Sequence, residues 1–178
     1  MTDAAPWTGG LFLGDDVLAY SACCLLVDGP LCKETAWDFV TSTLSSWHLP
    51  ELIPRVRTAV DELVGNALVH GKQQLCQQPF PHAGMVNVLR DGPDVACAVF
   101  DPGTATPRRH HGTAGLGIVE TVSDAWGWTE PGPHGKAVWS YFSSSGSPVL
   151  NGLIVERLST LVEVFTGSDD LRMITAGP

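Results

Sequence analysis

The spacing of apolar residues shifts near Pro81 from helical to alternating, and that shift limits the fold more than any other feature. From Leu52 to His70, Val56, Val60, Leu63 and Ala67 recur at three- and four-residue steps, with Leu68 flanking the stripe. That spacing predicts an amphipathic helix, with Gly71 standing at the C-cap position. Ala36, Phe39, Val40, Leu44 and Trp47 repeat the pattern over 33–47, and Pro50 stops that helix or opens the next element. After Pro81 the period falls to two. MVNVLR (85–90) and DVACAVFD (94–101) flank Asp91-Gly92, a hairpin signal, and AWGWTE (125–130) and KAVWSYF (136–142) flank Pro131-Gly132-Pro133. VLAYSACCLLV (17–27) reads as a first strand ended by Asp28-Gly29-Pro30, and Gly115-Leu116-Gly117 opens a helical run through Ile118, Val119 and Val122. VLNGLIVERLSTLVEVF (149–165) reads as a C-terminal amphipathic helix, with a frayed tail over 166–178. Helices, hairpin, loop, helix and hairpin in that order predict an α+β two-layer sandwich, one sheet covered on one face by helices. The expected organisation is a lead-in over 1–16, one domain over 17–148, and a C-terminal helix and tail (149–178) packed on the same domain.

A chain of 178 residues forms one domain and buries about 70% of its unfolded surface, so it needs no disulfide or structural metal to make a core. Nineteen acidic residues against ten Lys and Arg give a net charge of -9. Nucleic acid and anionic membranes demand a basic surface, so direct binding to either is not expected. Cys23, Cys24, Cys32, Cys76 and Cys97 lack the paired spacing of zinc sites and read as small hydrophobes. The sequence has no run of about 18 apolar residues and no signal-peptide pattern at its start, which together predict a cytoplasmic protein.

Within the second helix Glu62, Asn66 and His70 are four apart and form one polar stripe, while the apolar residues at 60, 63 and 67 point elsewhere. A carboxylate one turn before a carboxamide can serve a hydrated metal: the Asn66 amide oxygen could ligate Mg²⁺ and Glu62 could orient or deprotonate a nucleophile. Taken alone, the stripe reads first as a solvated helix face. Asp101-Pro102-Gly103 ends a strand, so Asp101 can project a carboxylate from a sheet edge, with Gly103 letting backbone approach a flat ring. Gly115-Leu116-Gly117 precedes a helix, where backbone N–H groups can face an anion. Gly135-Lys136-Ala137-Val138-Trp139 then opens a strand. His110, His111 and His134 make a poor metal set, Trp126, Trp128 and Trp139 read as packing, and Ser143-Ser144-Ser145 reads as a loop.

These pieces, in this order over about residues 20–142, resemble the GHKL ATP-binding family, and within it the serine-kinase anti-sigma factors and related stand-alone bacterial regulators. The resemblance implies a mixed sheet covered by helices, with ATP and Mg²⁺ held between helices and a lid. It places Glu62 as general base, Asn66 on Mg²⁺, Asp101 on the adenine amino group and Gly103 beside the ring. Gly115, Leu116 and Gly117 fall in the phosphate-facing glycine box. The lid would span 104–114, with Arg108, Arg109, His110 and His111 near the phosphates. Three positions depart from the family's pattern: Ala105 stands for a glycine, Thr113 (or Ala114) for the first glycine of the box, and Ala137 for a threonine that helps bind adenine.

The implied activity is phosphoryl transfer to a serine of an anti-anti-sigma-like protein, with sequestration of a sigma factor. Homodimerisation is a habit of the family. The departures favour an alternative, a non-catalytic module of the same frame that holds a regulatory partner.

Overall fold

The computed structural model describes residues 19–27, 29–70, 84–107 and 115–167. Its elements are β1 (Ala19–Leu26), α1 (Cys32–Ser46), a 3-10 turn (Pro50–Leu52), α2 (Ile53–His70), β2 (Gly84–Asp91), β3 (Asp94–Asp101), α3 (Leu116–Val122), β4 (Ala125–Trp128), β5 (Lys136–Phe142) and α4 (Gly152–Thr166). The helices and strands fall where the two apolar periods place them. The expected Gly71 cap, the lead-in and most of the tail lie outside the described residues.

The five strands form one sheet in the order β1-β2-β3-β5-β4. On α1 the buried residues are Ala36, Phe39, Val40 and Leu44, and on α2 they are Val56, Val60, Leu63, Val64 and Ala67. These stripes meet Val86, Val88, Val95, Cys97, Val99, Val138 and Phe142 on one sheet face, joined by Leu116 and Val119 of α3. The helical layer is fastened by polar ties at its margins. The Asp61 carboxylate accepts from Lys33 Nζ and Trp37 Nε1, each at 3.1 Å, which joins α1 to α2. Arg55 of α2 donates to the Val122 carbonyl at 2.8 Å and to Asp124 at 3.1 Å, which holds the end of α3. Such ties are part-exposed and contribute little each; the apolar face supplies most of the stabilisation.

The α+β sandwich is therefore present, built by α1–α3 on the sheet, and two particulars differ from the expectation. The sheet is not mixed: every described pair is antiparallel. Two helices separate β1 from β2, so the chain returns to the end it left and β2 runs back along β1. The single helix α3 makes β3 and β4 run the same way, but β5 inserts between them, so no parallel pair is bonded. The helices also do not keep to one face. Helix α4 covers the other face with Ile154, Leu158 and Val162 on Met85, Leu89, Ala98, Phe100, Ala137, Trp139 and Tyr141. Its N-terminus is capped by the Asn151 side chain, which accepts from the Leu153 N–H at 2.9 Å, and Gly167 ends it in the left-handed region at φ 66°. Trp126 and Trp139 are core residues, as their spacing suggested.

Candidate functional site

Alternation along β3 and β5 sends Val99 and Asp101, and Lys136 and Val138, to the α2 side of the sheet. There they line a cleft of about 790 Å³ with Leu63, Asn66 and His70 of α2, residues 104–107, and Gly115 and Leu116 at the start of α3. A cleft of this size accommodates a drug-sized or nucleotide-sized ligand. Residues from three of the sequence-predicted motifs thus line one space from three elements: Asn66, Asp101 and Gly115-Leu116. Gly115 adopts φ 63°, a conformation open to glycine at little cost, and its carbonyl accepts from Ile118 N–H at 3.0 Å.

Other predicted residues are placed differently. Glu62 is half-buried one turn before Asn66, and neither it nor Gly117 is among the described residues that line the cleft. Gly103 is buried and does not line the cleft, and its N–H donates to Asp101 Oδ1 at 2.8 Å. Arg108, Arg109, His110, His111 and Thr113 lie outside the described residues; of the expected lid, Thr104, Ala105, Thr106 and Pro107 line the cleft.

The sequence reading missed Lys136. It stands directly opposite Asp101 in the β3–β5 register, and its ammonium donates to Asp101 Oδ1 at 2.8 Å and to the Gly103 carbonyl at 2.9 Å. Both side chains are only 4% exposed. Burial pushes the Asp101 carboxyl above its ordinary 3.8; the Lys136 charge and hydrogen bond, the Gly103 N–H and His70 pull it back only in part. Gly135, at φ 123°, lets the chain enter β5 against the Asp101 carbonyl and Pro102, where a Cβ would collide with backbone. Ala137 faces the other way, into the α4 core. It therefore withholds no hydroxyl from the cleft, contrary to the expectation, because residues 136 and 137 of a strand point to opposite faces. The signal was available in the alternation of KAVWSYF, which puts Lys136 on the same side as Val138.

Among the described residues no group of three or more His, Cys, Asp or Glu could hold a metal ion, and no helix is long and apolar enough to cross a membrane. Set beside known proteins, the chain matches no family model and no curated protein.

Proposed function

We propose that the protein binds ATP with Mg²⁺ in the cleft between α2 and the ends of β3 and β5, and that it regulates transcription through a protein partner. The observation that carries this reading is the convergence of Asn66, Asp101 and Gly115 on one cleft of about 790 Å³. Those residue types suit the parts of a nucleotide. Asp101 is a buried acceptor for an exocyclic amino group. Asn66 offers a neutral amide oxygen to a hydrated divalent cation, which would neutralise phosphate charge. The start of α3 presents backbone to an anion.

The partner, by the same resemblance, is a sigma factor or an anti-anti-sigma-like protein, and phosphoryl transfer to a serine would fall to Glu62 as general base. The position of Glu62 outside the described cleft lining favours a second reading at that step: a nucleotide-binding module that holds its partner without turnover.

Titration calorimetry with ATP and Mg²⁺ tests both. Saturable binding that Asn66→Ala weakens supports the site, and the absence of heat at millimolar ATP, with the protein folded by circular dichroism, rejects it. Glu62→Gln separates the two readings. It should leave binding intact and, if the protein is a kinase, abolish label transfer from ATP to the partner.

A further inference from the structure

We propose that Lys136 reads the base of the nucleotide, donating a hydrogen bond to the ring nitrogen beside the amino group that Asp101 accepts. The proposal rests on the nucleotide reading above and adds to it a residue that decides which base fits.

An ammonium carries three N–H donors. Lys136 uses one on Asp101 Oδ1 and one on the Gly103 carbonyl. The third has no acceptor among the described residues. Behind the pair lies a void of about 20 Å³ walled largely by apolar side chains, Leu25, Met85, Phe100 and Phe165 among them. In front lies the cleft, whose wall Lys136 shares with Asp101. The carboxylate is likewise half-used, because both of its described hydrogen bonds end on Oδ1. The groups the pair leaves for a ligand are thus an acceptor, Asp101 Oδ2, and the third N–H of Lys136 Nζ, on residues set opposite each other by strand register. An adenine edge offers the complement, an amino N–H beside the unprotonated ring nitrogen N1. Both protein groups are fixed before a ligand arrives, so little side-chain freedom is lost on binding. Ala137 faces away from the cleft, so of the first two residues of β5 only Lys136 can supply such a donor.

The test compares ATP with 1-deaza-ATP, in which N1 is replaced by C–H and the amino group is kept. A hydrogen bond to a charged group predicts that the unaltered protein binds 1-deaza-ATP about tenfold to a hundredfold more weakly than ATP. In Lys136→Met the two ligands should bind within about twofold of each other. The ¹⁵Nζ resonance of Lys136, one of three lysines, gives a measurement on the unaltered chain should that variant not fold. It should move at saturation with ATP and stay near its free position with 1-deaza-ATP. Equal affinities, discrimination that persists in Lys136→Met, or the same resonance shift with both ligands would overturn the role of Lys136 while leaving nucleotide binding intact. Failure of ATP itself to bind would remove the nucleotide reading and this proposal together.

Discussion

Among the described residues, Asp101 and Lys136 are the charges this fold takes out of water at the cleft, and their register pairing is what makes that tolerable. A buried pair of this kind adds little net stability, yet removing one partner strands the other charge in a poor dielectric. Lys136→Met should therefore lower the unfolding free energy by about 3–5 kcal/mol, and Asp101→Leu/Lys136→Met should recover most of that loss. Urea unfolding of the single and double variants measures it; a single variant as stable as the unaltered chain would contradict the pairing. The same carboxylate governs pH dependence. Burial raises the Asp101 carboxyl above 3.8, so on acidification it takes up its proton earlier than an exposed aspartate does. The protonated acid is a poorer acceptor for an amino group and no longer holds Lys136 by charge. Nucleotide affinity should thus fall by about tenfold per pH unit once pH drops below that raised value, and Asp101→Asn should flatten the profile. Calorimetry at descending pH, on protein shown to be folded at each, checks the sign.

At the scale of elements, α4 decides what the second face of the sheet becomes. Without it Met85, Leu89, Phe100, Trp139 and Tyr141 would form an exposed apolar surface. Leu158 lies at the centre of this contact, fully buried between Ile154 and Val162. Leu158→Ala should cost about 2–5 kcal/mol, whereas Leu153→Ala, on the half-buried flank, should cost much less. Chemical denaturation distinguishes the two. The end of α4 also meets the site from behind: the Phe165 ring lies 5.3 Å from that of Phe100, and the Thr166 carbonyl accepts from His134 N–H at 3.1 Å. That α4 is a helix could be read from its spacing, because period is local. Which face it covers could not, since that depends on β5 entering between β3 and β4, a pairing between segments far apart in sequence. The same limit explains the site. Asn66, Asp101 and Gly115 were legible as motif residues in order along the chain. Lys136 gains its meaning only from the strand opposite it, and Ala137 was misjudged because its face, not its neighbours, decides what it touches.

The molecule as a whole builds its cleft from segments spread over half the chain: α2, the end of β3 with residues 104–107, the start of α3, and β5. Apart from the 104–107 loop, none of these can leave the cleft without uncovering the core that α1–α3 make with the sheet, so a ligand held there stabilises the entire fold. At a hundredfold excess over its dissociation constant, ATP with Mg²⁺ should add about 2.7 kcal/mol of stability. For a chain of this size that raises the melting temperature by about 5–10 °C. The rise should come as one shifted transition and not as a new second step, because the cleft walls and the core unfold together. Charge sharpens the expectation. A protein of net charge -9 repels a polyanionic ligand, so most of the shift should disappear when Mg²⁺ is omitted, and Asn66→Ala should reduce it even with Mg²⁺ present. Differential scanning calorimetry with ATP and with inorganic triphosphate, each with and without Mg²⁺, separates the contributions. A shift produced equally by triphosphate would mean that the phosphates bind and Asp101 reads nothing, whereas a shift confined to ATP with Mg²⁺ places base, cation and backbone contacts in one cooperative site.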